Sequence, residues 1–224
     1  MDSISHPWDN HPMFNVCPQC GEYSVEKTVV PLEGSRALAV CPRCGGETPF
    51  LRLPHFMISG ASGTGKSTLA LRMAQEDFSC VHLEGDILWM AEFNRPEEDY
   101  RTYREVWLRM AKNIGQGGRP VAWYGSVVPE QIEPCVERRY FSNVYYLALV
   151  CEPDVLAERL RARPGWRNAG SEEFVGGMLA FNQWFLDHAG EGDPPLEVLD
   201  TSHATIDDSA RTVRAWIAGK WRGV

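Results

Sequence analysis

Gly60-Ala-Ser-Gly-Thr-Gly-Lys-Ser67 concentrates the residue types that bind a polyphosphate. Glycines at positions 60, 63 and 65 let the backbone turn so that its N–H groups converge on an anion, and a helix starting there adds the positive end of its dipole. Lys66 reaches β- and γ-phosphate oxygens, and the Ser67 hydroxyl is a ligand for Mg²⁺. The pattern G-x-x-x-x-G-K-S/T carries weight only between a strand and a helix. Both are legible: an apolar run over 55–59 precedes it, and 67–76 follows with Leu69, Ala70 and Met73 at helical spacing. The nucleotide-binding set is therefore Gly60, Ser62, Gly63, Thr64, Gly65, Lys66, Ser67 and Thr68.

An acidic step follows the next apolar run. Glu84-Gly85-Asp86 closes the strand-like stretch over 80–83, so Asp86 falls at the carboxyl edge of a parallel strand, where doubly wound sheets bind ligands. A carboxylate there can align or deprotonate a hydroxyl that attacks a γ-phosphate; it can equally cap the next helix. The third strand-like run, over 120–128, contains no carboxylate, which argues against motor ATPases, and no N-K-x-D is present to read guanine.

Cysteines form a second constellation. Cys17-Pro-Gln-Cys20 and Cys41-Pro-Arg-Cys44 are separated by twenty residues, a strong zinc signature. Four thiolates complete a tetrahedral shell with no position left for water, so the Zn²⁺ is expected to be structural. Two redox-active pairs are the competing reading. The segment 1–54 carries four Lys and Arg against six Asp and Glu, so docking on the rest of the chain or on a protein partner fits better than gripping nucleic acid. Cys80, Cys135 and Cys151 lie singly in apolar surroundings, and Cys80 and Cys151 read as buried thiols.

The elements that must position these groups can be read along the chain. With 224 residues, 44% hydrophobic and 23% charged, it can bury one core and carry one small appendage. A net charge of -8 opposes binding to a phosphate backbone, and the sequence shows neither a signal-like N-terminus nor a long apolar run, so a cytoplasmic protein acting on small molecules is expected. Residues 1–54 read as hairpins around the cysteine knuckles; from 55 onward apolar strand-length runs alternate with helical periods, as in βαβ units. Further strands are expected over 144–150 and 197–200. Helices are expected across 97–115, over 153–163 and after Thr205, where Asp208 completes a capping-box arrangement and Ala210, Val213 and Ile217 face the core.

GASGTGKST followed by HLEGDILW resembles the small-molecule kinases of the P-loop class, especially gluconate kinase, and more loosely adenylylsulfate kinase and chloramphenicol phosphotransferase. VAWYGSVVPEQIEP, VYYLALVCEPDVLAERLRARPGW and LDTS extend the resemblance over about residues 55–220. It implies an α/β P-loop NTPase fold, a five-stranded parallel sheet flanked by helices, with a helical substrate region after the second strand and a mobile lid around 161–170. The zinc ribbon lies outside it. Arg159, Arg161, Arg163 and Arg167 crowd that lid segment of an acidic chain, and Arg159 and Arg163 are spaced to share one helical face. The adenylate-kinase-like resemblance implies Arg163 beside the γ-phosphate and Arg159 stacked on adenine, with Arg167 swinging in from the lid; a solvated arginine face paired with Glu158 is the alternative. Trp89, Tyr100, Tyr103 and Trp107 fall in the substrate region, where helical spacing favours core packing over a ligand box. Arg95, Arg101 and Arg104 there could bind an acidic acceptor, although surface exposure fits them better.

These readings converge on an ATP- and Mg²⁺-dependent phosphotransferase. Lys66, Ser67 and Arg163 stabilise the migrating γ-phosphoryl group, Arg167 joins them from the lid, Asp86 orients or deprotonates the acceptor, and the acceptor is a nucleoside, nucleotide or sugar-like molecule. Two alternatives are a polynucleotide 5′-hydroxyl kinase and a non-catalytic nucleotide-dependent switch that binds a protein partner through its ribbon.

Overall fold

The computed structural model describes residues 14–77, 79–164 and 170–223. Its first element is a three-stranded antiparallel sheet of β1 (Thr28–Pro31), β2 (Arg36–Val40) and β3 (Glu47–Leu51), with the two cysteine knuckles beside it. Alternation along β2 and β3 sends Ala37, Ala39 and Phe50 inward, the period-2 pattern of a sheet covered on one face.

The larger sheet has the order β5-β6-β4-β7-β8, and every pairing is parallel. Its strands are β4 (His55–Gly60), β5 (Val81–Glu84), β6 (Val121–Tyr124), β7 (Val144–Val150) and β8 (Leu196–Asp200). β4 and β7 are unbroken apolar runs because both faces are covered. Phe56 and Ile58 pack under α1 (Lys66–Glu76) and α6 (Ile206–Lys220), while Met57 faces the opposite layer with Trp107 of α2 (Arg101–Gly115). That layer is completed by Phe185 of α5 (Glu172–Asp187), beyond the short α3 (Pro129–Ile132) and α4 (Pro153–Arg161). Among the described residues no helix is long and apolar enough to cross a membrane.

The cysteine ribbon docks on α2 and on a 3-10 turn, Val136–Tyr140. The Tyr140 hydroxyl accepts from Lys27 N at 3.0 Å and donates to Val25 O at 2.6 Å, and Phe14, Phe50 and Tyr140 meet edge-on. Lys112 of α2 donates to Asn15 Oδ1 at 2.8 Å and to Glu137 Oε2 at 2.6 Å, its ammonium 4.2 Å from both the Phe14 and Tyr140 ring centres. Burial is tolerable for such a pair only because every charge has a partner.

Several boundaries differ from the sequence reading. The third strand is only Val121–Tyr124; Gly125 onward leaves the sheet to form the site's loop. Helix α4 ends at Arg161, so Arg163 lies beyond the helix and does not share a helical face with Arg159. Helix α5 was not anticipated: the Gly176-Gly177 pair interrupts its apolar pattern, and only the Ser171 side chain, accepting from Phe174 N, marks its start.

Candidate active site

The loop after β4 is shaped by glycines that admit no side chain. A Cβ at Gly60, where φ is 139°, would sit 2.4 Å from Leu149 O, and one at Gly63, where φ is 96°, would sit 2.8 Å from Leu156 Cδ1. Any other residue there collides with β7 or α4. Thr64 is fully buried, its hydroxyl donating to Ala61 O at 2.9 Å, and the loop beyond β6 is tied back by Ser126 Oγ donating to Gly60 O at 3.1 Å. Lys66 Nζ donates to Gly60 O at 2.8 Å and Ala61 O at 2.9 Å. Burial lowers its pKa to about 8, with Asp86 and Glu84 pulling it up and Arg163 pushing it down.

Beside this loop is a cavity of about 270 Å³ lined by Ser62, Lys66, Ser67, Glu84, Asp86, Ser126 and Arg163, among others. Ser67 Oγ donates to Glu84 Oε1 at 2.7 Å. Within the acidic step local sequence gives Glu84 no role of its own, because its partner lies 17 positions away. Asp86 is exposed at the cavity edge, and the carbonyl of its neighbour Gly85 accepts from the buried Tyr103 hydroxyl at 2.7 Å. A hydroxyl with two carboxylates is a donor set suited to a hard divalent cation such as Mg²⁺.

A second cavity of about 320 Å³ lies against the same loop, lined by Gly63, Thr64, Thr68, Leu149, Arg159, Arg163, Thr201 and Ile206, with neighbouring residues. Arg159 is held there by Nη2 donating to Thr201 O at 2.8 Å and Ser202 O at 3.0 Å, and by Nη1 donating to Cys151 Sγ at 3.0 Å. Thr201 in turn donates to Thr64 O at 3.0 Å, tying the end of β8 to the loop. Asn182 of α5 brackets Cys151 with two backbone hydrogen bonds, 3.0 and 2.9 Å, fixing the point where β7 leads into α4. Local sequence gives neither Thr201 nor Asn182 a role, although Thr201 lies in the LDTS stretch that resembles the kinases. Arg163 lines both cavities. Arg161 pairs with Glu172 at 3.0 Å instead of Glu158, and Arg167 lies outside the described residues.

A family described as AAA domain matches residues 57–175, more than half of the chain. The chain belongs to the AAA domain family. No curated protein matches it. Among solved structures, this AAA domain is similar to a sugar kinase from Janibacter sp. HTCC2649, with 20% identity, a TM-score of 0.57, and 74% of this chain and 94% of that one covered. It is also similar to a gluconokinase from Sinorhizobium meliloti 1021, at 19% identity and a TM-score of 0.51 over 75% and 94% of the two chains. A third is the APS kinase of Mycobacterium tuberculosis solved with AMPPNP and APS, at 16% identity and a TM-score of 0.52 over 74% and 98%. These likenesses establish the fold: a five-stranded parallel sheet flanked by helices, as in P-loop NTPases.

In this AAA domain the residues expected around an acceptor divide. Tyr103 and Trp107 are core: Trp107 is fully buried and stacks on Trp123, with ring centres 5.2 Å apart and planes 16° apart. Trp89 is half exposed, resting on Tyr100 and Tyr103 at 5.5 and 5.4 Å. Arg95 and Arg101 are exposed and paired with Glu98 and Glu105. Arg104 corrects the expectation of surface exposure: it is buried, 3.1 Å from Asp99. Cys80 and Cys151 are buried as expected.

The four knuckle cysteines precede the AAA domain match. Cys17, Cys20, Cys41 and Cys44 place their sulfurs within 4.8 Å of one another, with Cys17–Cys44 at 3.6 Å and Cys20–Cys41 at 3.8 Å. Tetrahedral Zn–S bonds of about 2.3 Å require sulfurs about 3.8 Å apart, so the donor set fits Zn²⁺. The knuckles are alike: Gly21 N donates to Cys17 O at 2.9 Å, and Gly45 N to Cys41 O at 3.0 Å. The Cys20 amide, directed at the Cys17 sulfur, lowers that thiol's pKa to about 6, toward the thiolate that binds metal.

Proposed function

We propose that this chain transfers the γ-phosphoryl group of ATP to a hydroxyl or phosphate of a small nucleoside, nucleotide or sugar-like acceptor. The observation that carries the reading is the pair of cavities sharing one glycine-walled loop and Arg163. One is rich in oxygen ligands and holds Lys66; the other, with Leu149 and Ile206 in its wall and Arg159 at its side, suits a nucleobase. The names of the similar sugar kinase, gluconokinase and APS kinase support it.

In this account residues 55–224 form the kinase unit, with a lid around 161–170, and 1–54 the zinc module. The triphosphate enters along the loop amides, and Lys66 exchanges its carbonyl partners Gly60 and Ala61 for β- and γ-oxygens. Ser67 and Glu84 would hold Mg²⁺, which would neutralise phosphate charge when bound. Asp86 aligns the acceptor hydroxyl and takes its proton. The acceptor oxygen bonds to the γ-phosphorus as the bond from phosphorus to the β–γ bridging oxygen breaks, releasing ADP. Arg163, and Arg167 from the lid, stabilise the transferring group, Arg159 flanks the base, and Gly60, Ser62, Gly63, Thr64, Gly65 and Thr68 complete the cradle.

The test is ADP release screened across nucleosides, nucleotides, sugar acids and other hydroxyl compounds. An acceptor that stimulates release, with turnover falling about 100-fold or more in Asp86→Asn at unchanged nucleotide affinity, is the expected result. Acceptor-independent hydrolysis alone, or full turnover in Asp86→Asn, would overturn it.

A further inference from the structure

One helix touches both the cysteine ribbon and the acidic edge of the site. Near its C-terminus, Lys112 of α2 reaches Asn15 and Glu137, and Gln116, the residue that ends the helix, exchanges two hydrogen bonds with Leu51 of β3, at 2.8 and 3.1 Å. Near its N-terminus, Tyr103 donates to Gly85 O, and Arg104 holds Asp99, which also accepts from Gln131 Nε2. Between them Glu105 accepts from Val136 N at 2.7 Å and Glu137 N at 3.1 Å, fixing to α2 the very turn whose Tyr140 grips the ribbon. From Tyr103 to Gln116 the helix rises about 20 Å. Trp107 stacked on Trp123 seats its middle on the sheet.

We propose that the cysteine ribbon is a positioning module: through α2, with Tyr103 as the positioning residue, it fixes Gly85 and hence the place of Asp86. The inference rests on reading the side around 84–86 as the acceptor side. It gives the ribbon a part in the reaction without any cysteine approaching the substrate. The phosphate loop is secured separately, by Ser126, Thr201 and the packing of β4 and β7. Apart from the Ser67–Glu84 hydrogen bond that joins them, the two halves of the site are thus held by different parts of the molecule, and loosening the ribbon acts on one of them.

Hydrogen–deuterium exchange on the intact, zinc-loaded chain tests this. It is compared with the same chain after metal chelation and with the doubly substituted Phe14→Ala, Gln116→Ala chain, which keeps its cysteines. The expected result is exchange about tenfold faster across 85–110 in both loosened forms, while 60–76 and the affinity for MgATP stay as they were. Unchanged protection over 85–110 while 28–51 exchanges faster would overturn the proposal. So would a rise of equal size over 60–76, which would make the ribbon a general stabiliser. Neither readout uses turnover, so a failure of the phosphotransfer reading shows separately, as absent acceptor-stimulated ADP release from the unsubstituted chain.

Discussion

Ser67 and Glu84 meet across two elements, the first turn of α1 and the end of β5, with Ser67 Oγ 2.7 Å from Glu84 Oε1. The Ser67 hydroxyl is therefore already oriented by a carboxylate, and the two together line the more polar of the two cavities beside the loop.

Replacing Glu84 by Gln keeps the shape and removes the charge. The magnesium concentration needed for half-maximal turnover is expected to rise about tenfold, as for loss of a hydrogen bond to a charged group, while thermal unfolding is unchanged. A magnesium titration identical to that of the unsubstituted chain would remove Glu84 from the metal's surroundings.

Lys66 ties nucleotide binding to pH. Burial holds its pKa at about 8 in the free chain, and phosphate oxygens arriving beside it stabilise the ammonium and raise that value. Above pH 8 the free lysine is mostly neutral, so binding must take up a proton, and affinity should fall as pH rises from about 8 to 9.5. An indicator dye in weakly buffered solution at pH 8.5 reads the uptake. It should disappear in Lys66→Met; equal uptake by that variant would assign the proton elsewhere.

The ribbon should hold one zinc per chain, released by chelation together with the order of β1 to β3. Elemental analysis of the purified protein checks the first point and circular dichroism during chelation the second. A metal-free chain with an intact ribbon spectrum would contradict the assignment.

The parts of this protein that local sequence describes well are those whose chemistry is contiguous. The phosphate loop and its flanking elements appear where the motif places them, with Leu69, Ala70 and Met73 the buried face of α1 and Thr205–Asp208 a true capping box. Both knuckles bring their sulfurs to metal-binding range. What escaped depends on distant partners. Glu84 acquires meaning from Ser67, Thr201 from Thr64 and Asn182 from Cys151, none of them neighbours in the chain. Helical spacing marks Tyr103 and Trp107 as core residues of α2, yet Lys112 is buried too because the ribbon covers a second face. A charged side chain gives no local sign that another module will enclose it. Arg104 differs, since Asp99, 3.1 Å from its guanidinium, lies only five positions before it in the chain.

Calorimetric titration of MgATP onto the intact chain tests the central claim most directly, because everything else is built on the loop over 60–67 holding a triphosphate. One nucleotide per chain should bind, and Lys66→Ala should lose that binding while unfolding at the same temperature. A folded chain that gives no binding heat with any magnesium–nucleoside triphosphate, or a Lys66→Ala variant that binds as tightly as the original, would contradict the account.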